Sequence, residues 1–198
     1  MKFGLKKMLV TALVMSSSLN AFADHWMVRT RAITVMPEVS GKAAGSDVKI
    51  ANDSIPEIDF TYFISKNFAL ELILGTTTHN VSVGTSSLGS VSLLPPTLLA
   101  QYHHEWGNFK PYVGAGLNYT VFYDAQPGDA DSMKYDNSFA YAFQVGLDYK
   151  ISEKVYLNLD VKKLKLSTDV TAKIGGNKVK ADVDIDPLIV GVGIGYRF

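Results

Sequence analysis

The residues most able to act as acids, bases or metal ligands are four histidines, His25, His79, His103 and His104. A hydrolase needs a nucleophile within hydrogen-bond reach of a base that a third group orients. Ser82, Ser86 and Ser87 stand near His79, but serine-rich connections are ordinary, and the spacing argues for no nucleophile–base pair. His103 and His104 are adjacent, and adjacent residues of a strand point to opposite faces, so they do not make a shared metal site. Cysteine is absent, which removes thiolate ligands, a cysteine nucleophile and disulfides. The chain is therefore read without a cofactor, a metal or a catalytic centre. The chemistry that remains is ionic. Arg29, Arg31, Asp59, Glu71, Asp148, Asp160 and Arg197, with Gln101, all occupy the more polar side of segments that are otherwise apolar. Charges placed so need partners, and Arg29, Arg31, Asp59 and Glu71 lie on three consecutive segments where cross-strand ion pairs would satisfy them.

Composition limits what can position these groups. The 198 residues suffice for one domain. Hydrophobic residues make up 47% and charged residues 19%, which excludes disorder. Nineteen basic residues balance nineteen acidic ones, and no basic stripe offers a nucleic acid a surface. No run approaches the ~18 apolar residues of a spanning helix. Residues 1–23 read as a cleaved export signal: Lys2, Lys6 and Lys7, then the apolar Met8 to Met15, then Ala21-Phe22-Ala23 as the cleavage pattern. The mature chain, 24–198, is expected to be a single domain beginning at Asp24. The leader takes three basic residues and no acid with it, so the remainder is acidic by three charges.

That remainder alternates with period two, the mark of strands half-covered by apolar surroundings. Segments at about Trp26–Val35, Glu57–Ile64, Phe68–Gly75, Pro96–His103, Phe109–Thr120, Phe139–Ile151, Val155–Lys162 and Leu188–Phe198 make eight. Short connections (Ser65–Asn67, His104–Asn108, Ser152–Lys154) alternate with long polar ones (about Ser40–Ile55, Thr76–Leu93, Phe122–Ser138 and Thr168–Val183). The expected fold is all-β: an eight-stranded antiparallel transmembrane β-barrel, an up-and-down meander with short periplasmic turns and long extracellular loops. A soluble lipocalin-like barrel would turn its apolar face inward. Here the apolar face carries aromatics toward its ends, among them Phe60, Tyr62, Tyr102, Tyr119, Tyr149, Tyr196 and Phe198, as interfacial girdles do. The other face is rich in glycine and charge, which suits a narrow lumen.

Leu94-Pro95-Pro96-Thr97-Leu98-Leu99-Ala100-Gln101-Tyr102-His103 and Lys110-Pro111-Tyr112-Val113-Gly114-Ala115-Gly116-Leu117-Asn118-Tyr119-Thr120 resemble the signature segments of the OmpW family. The closing Gly195-Tyr196-Arg197-Phe198 is similar to the C-terminal aromatic signal read by the outer-membrane barrel assembly machinery, with Tyr196 and Phe198 as its aromatic positions. The resemblance implies a bacterial outer-membrane barrel, surrounded by outer-membrane lipids and lipopolysaccharide, that is associated with passage of small hydrophobic molecules. A monomer is expected.

A barrel of eight strands holds its own side chains or one small ligand, not a water-filled pore. Ordered by height, the inward residues give a charged lumen floor (Arg29, Arg31, Asp59, Glu71, Gln101, Asp148, Asp160 and Arg197) below an apolar chamber. Ile33, Val35, Ile73, Leu99, Leu164 and Ile189, with Ala140 and Ala142, form that chamber. It reads either as a dry plug or as a binding site for a hydrophobic solute, with those six larger side chains as its walls. The floor reads as a structural plug, so a solute entering from above would have to leave sideways. Pro37, Pro56 and Pro187 read as strand ends. At Pro95-Pro96 the alternation continues through two residues that donate no ladder bond, which makes them a candidate lateral opening. The rival function is a structural, adhesion or stress-related outer-membrane protein, a possible phage or colicin receptor, that passes no solute.

Overall fold

The computed structural model describes residues 25–40, 42–43, 46–83, 86–128, 131–174 and 176–198. The expected leader and Asp24 lie outside the described residues. The chain climbs through β1 (Trp26–Met36) into a small hairpin, β2 (Lys42–Ala43) and β3 (Ser46–Ile50), then descends through β4 (Asp53–Phe63). It climbs again through β5 (Phe68–Gly75) and β6 (Thr77–Val83), and returns through β7 (Ser86–Leu94) and β8 (Thr97–His103). The long β9 (Phe109–Pro127) rises to β10 (Ser132–Tyr135), and β11 (Ser138–Lys150) descends. Finally β12 (Val155–Lys165) leads to the hairpin β13 (Ser167–Ile174) and β14 (Asn177–Asp184), and β15 (Leu188–Arg197) ends the chain.

Among the described residues, eight of these strands, β1, β4, β5, β8, β9, β11, β12 and β15, form a closed antiparallel barrel. The seam joins the two chain ends, from Met27 opposite Arg197 to Met36 opposite Leu188. Closure leaves no unpaired edge in the barrel wall. Burial alternates strictly: in β8 the inward Thr97, Leu99, Gln101 and His103 are buried, and Leu98, Ala100 and Tyr102 between them are exposed. The exposed face is the apolar one. Leu72, Leu98, Val113, Leu117, Val145, Leu159, Val192 and Ile194 form a band around the outside, while Arg29, Asp59 and Glu71 are fully buried inside. That inversion of a water-soluble protein is what a lipid solvent selects.

Aromatic pairs mark the end of the barrel that carries the short turns. Trp26 packs on Tyr62, Phe68 on Tyr102, Phe109 on Tyr149 and Tyr196 on Phe198, with ring centroids 4.9–5.3 Å apart. The turns themselves follow local chemistry. Ser65 Oγ accepts the N–H groups of Asn67 and Phe68, and Ser152 Oγ accepts that of Val155. In the turn between β8 and β9, Gly107 takes φ +60°, as the first central position of a primed hairpin turn demands.

The long connections depart from expectation. Among the described residues, much of them is β-structure that raises the wall. Hairpin β6–β7 pairs along its length, leans on the upper half of β9, and carries β3 on its other side. Strands β10, β13 and β14 form a second sheet opposite. The backbones of Ser40 and Asp184 exchange hydrogen bonds of 2.9 and 3.1 Å, tying the segment after β1 to the end of β14. The inner faces of both sheets are apolar: Val81, Val91, Leu93, Leu166, Val183 and Ile185 are buried and continuous with the core of the barrel.

Candidate functional site

The lower lumen is filled by one hydrogen-bonded ionic network. Arg29 sends Nε and Nη2 to the two oxygens of Asp148 (3.2 and 3.0 Å), while Nη1 donates to Asp59, Thr61 and Glu71 at 2.7–3.0 Å. Arg31 donates to Asn158 (2.7 Å), Glu57 (3.0 Å) and Glu71 (2.9 Å), and its Nη1 lies 2.8 Å from Asp59. Such forked, charge-assisted contacts fix geometry as well as energy. Gln101 and Gln144 join the far wall: both donate to Glu71 at 2.8 Å, Gln101 to Gln144, and Gln144 to Asp160. Tyr112 donates to Asp160 at 2.7 Å and accepts from Asn158. Lys162 bridges Glu57 and Asp160.

The sequence brings these groups together because odd positions of β1, β4 and β5 and even positions of β11 and β12 face the same narrow space. Glycines clear the room. A Cβ at Gly146 would stand 2.2 Å from the Tyr112 ring, and one at Gly193 would stand 2.7 Å from Arg31 Cγ.

Under the network lies a second layer. Met27, Phe63, Ala69 and Tyr156 form a small apolar cluster. The His103 ring sits between Phe63 and Tyr112, 5.0 and 4.9 Å away. Arg197 belongs to this layer and not to the charged floor where its type suggested: its guanidinium covers the Phe63 ring at 4.2 Å. Asp59, Glu71, Gln101, Asp148 and Asp160 all join the arginines as expected. Glu57, Tyr112, Gln144, Asn158 and Lys162 belong to the same network and were not anticipated, although their inward phase was readable.

Above the floor is a cavity of about 350 Å³. Ile33, Val35, Ile73, Leu164 and Ile189 line it, as expected; Leu99 is fully buried in the same apolar cluster but does not line the cavity, and nor do Ala140 and Ala142. The cavity runs far higher than a chamber within the eight segments would, because Val81, Val91, Leu93, Phe122, Tyr135, Ala172 and Val183 of the upper sheets continue its walls. Its charged lining consists of Glu57 and Lys162, at the base. His79, expected in an outer loop, is buried on β6 with Nδ1 2.9 Å from the Ala51 carbonyl and Nε2 3.2 Å from Thr77 Oγ1. Thr77 donates to Asp53 at 2.7 Å, so the hydroxyl stands between the carboxylate and the imidazole.

The wall has one interruption beside this cavity. Strands β5 and β8 pair up to Ile73 opposite Thr97, and β6 and β7 resume at Thr77 opposite Leu93. Between these points Leu74, Gly75 and Thr76 face Leu94, Pro95 and Pro96 with no ladder pairing. On the other side the wall is shut: the Pro96 carbonyl accepts the N–H of Tyr119 (3.0 Å), the Pro95 carbonyl accepts Asn118 Nδ2 (3.1 Å), and Leu94 pairs with Val121. Gly75 and Pro95 both line the cavity.

Comparison with known proteins agrees with this architecture. The profile of the OmpW family matches residues 23–198. The outer-membrane protein y4mB of Sinorhizobium fredii is 42% identical over 184 residues, covering 87% of this chain and 80% of its own. The dibenzothiophene metabolism operon protein PahQ of Pseudomonas aeruginosa is 28% identical, covering 79% and 77%. Among solved structures, the outer membrane protein OprG of Pseudomonas aeruginosa superposes with a TM-score of 0.81 at 31% identity, covering 89% of this chain and 96% of that one. A closed eight-stranded barrel with an apolar exterior and a family match across all its strands has one assignment: the chain belongs to the OmpW family of outer-membrane proteins.

Proposed function

We propose that the barrel is a channel or carrier for small hydrophobic molecules, which occupy the apolar chamber from the outer side and leave sideways into the outer leaflet past Pro95 and Pro96. The observation that carries this reading is the position of the cavity, closed below and adjoining the interruption in its wall. Insertion into a bilayer requires an apolar exterior only; a lumen lined by Ile33, Val35, Ile73, Leu164 and Ile189 needs a reason of its own, and an apolar solute supplies one. Straight passage downward would have to break the Arg29–Arg31 network and then the aromatic layer beneath it. Sideways, the solute crosses a wall in which three residues on each strand make no ladder bond to the facing strand, and it arrives in a solvent it prefers. The relative named for a dibenzothiophene metabolism operon fits a hydrophobic cargo of this size.

The test is uptake of a hydrophobic fluorescent reporter into proteoliposomes. Ile73→Asp puts an unpaired carboxylate in the chamber and should abolish uptake. Pro95→Thr with Pro96→Val restores one backbone donor facing the gap, at 95, and one facing Tyr119, at 96, and should slow release, while Arg31→Ala should leave uptake largely intact and raise ion leakage. Loss of uptake in Arg31→Ala together with an unchanged proline variant would mean that the solute passes through the floor.

A further inference from the structure

The polar atoms of the cavity are almost all spent within the protein. Its four threonines, Thr77, Thr97, Thr120 and Thr168, donate to Asp53, the Pro95 carbonyl, Asn118 Oδ1 and the Asp136 carbonyl respectively. Both nitrogens of His79 are engaged. At the base the accounting differs. Lys162 Nζ has three N–H groups and donates one to Glu57 Oε1, while Asp160 Oδ1 lies 3.1 Å away as an ion-pair partner. Among the described residues Glu57 Oε1 takes both Arg31 and Lys162, and Oε2 has no hydrogen-bond partner. Among the described residues, unspent N–H groups of Lys162 and the unspent Oε2 of Glu57 thus sit side by side beneath a lining that, the Tyr135 hydroxyl apart, is apolar or satisfied.

The charge of the floor narrows the chemistry further. Three cations, Arg29, Arg31 and Lys162, face five carboxylates, Glu57, Asp59, Glu71, Asp148 and Asp160, a formal excess of two negative charges. An anionic head descending on Lys162 would meet that excess in a space with little water to screen it. A bare hydrocarbon would leave the Lys162 N–H and Glu57 Oε2 without partners. A hydroxyl matches both, since it donates one hydrogen bond and accepts others.

We propose that the chamber selects apolar molecules with a neutral hydroxyl, an alcohol or a phenol, whose O–H donates to Glu57 Oε2 and accepts from Lys162 Nζ. This rests on the transport reading above and names the cargo for the same cavity.

The experiment measures excess partitioning of four radiolabelled probes, octane, octyl methyl ether, 1-octanol and octanoate, into barrel-loaded nanodiscs over empty ones. In the wild type 1-octanol should exceed the ether and octane by about tenfold, the lower range for one charge-assisted hydrogen bond. Octanoate should show the smallest excess. The paired swap Lys162→Met/Glu57→Leu removes one charge of each sign, leaves the formal excess unchanged, and should level 1-octanol with octane. The ether or octanoate matching 1-octanol in the wild type overturns the proposal without recourse to any variant, as does an octanol preference that survives the swap. Octane and octanol binding alike would sink this proposal and leave the transport reading standing; no excess for any of the four would remove both.

Discussion

Replacing Arg29 by methionine keeps the length of the side chain and deletes its charge. Arg29 is fully buried and donates to Asp148 twice, and to Asp59, Thr61 and Glu71 once each. Its loss leaves Asp148, among the described residues, with Asn158 as its side-chain donor, and raises the formal excess of carboxylates in the floor from two to three. Breaking a buried pair by removing one partner costs about 3–5 kcal/mol, because the other charge stays behind in a medium that cannot solvate it. That is a large share of the ~5–15 kcal/mol that holds most domains folded. Asp148→Asn added to Arg29→Met should restore part of the loss, since it withdraws the stranded charge and leaves an acceptor for Asn158. Urea unfolding in lipid vesicles, followed through Trp26 and Trp106 at the barrel end, measures both variants and the single Asp148→Asn. The expected cycle has a coupling of the same sign as the rescue, of about 1–3 kcal/mol. A cost under about 1 kcal/mol for Arg29→Met, or a double variant as unstable as the two singles summed, would refute the account of the floor as one interdependent ionic plug.

Depth should govern the outside of the barrel. Val145→Arg and Leu159→Arg, in the middle of the apolar band, are expected to cost about 2–4 kcal/mol, whereas Ser167→Arg, above the band on the continuation of the Leu159 row, should cost about 0–1; the same urea titration reads all three. Deleting Phe198 should lower the amount of heat-modifiable barrel in the outer membrane while leaving the urea midpoint of refolded protein close to wild type, as a recognition element would; an equal fall in both would make Phe198 a stability residue alone.

Which face each residue presents was legible in the alternation, and how high it stands was not. Period two assigns Leu99 and Arg197 to the lumen correctly, yet Leu99 packs behind the cavity wall and Arg197 lies under the ionic floor. Height depends on strand tilt and on the stagger between neighbours, which closure of the whole ring determines. Glu57 and Lys162 were obscured by their neighbours: one follows Pro56, and the other opens the run Lys162-Lys163, so both looked like the rims of strands. The raised wall was missed for a compositional reason. Thr77 to Leu93 is dominated by serine, threonine and glycine, and the alternation of Thr77, His79 and Val81 toward the lumen is carried by side chains of mixed polarity. Ile33, Val35, Ile73, Leu164 and Ile189 were legible because they share the inward phase of their segments with Arg31, Glu71, Asp160 and Gly191, and the break in pairing at Pro95-Pro96 because proline cannot donate.

The ionic floor also bears on how the chain becomes a barrel. Arg29 and Arg31 stand on β1, the first strand of the barrel, and their partners Asp148 and Asn158 follow 119 and 127 residues later. None of these bonds can form while the sheet is open. A nascent sheet of β1 to β8 would hold two arginines with only Glu57, Asp59 and Glu71 near them, still wet and loosely ordered. Bringing β11 and β12 across the lumen is the event that excludes water and lets the forks engage, and it occurs with the seating of β15 against β1. Long-range contacts of this kind are the slow ones to make, since the chain entropy between them is lost before they return anything. Once the ring shuts, a cross-brace between opposite staves latches it, and an intermediate lacking one strand gains almost nothing from the lock.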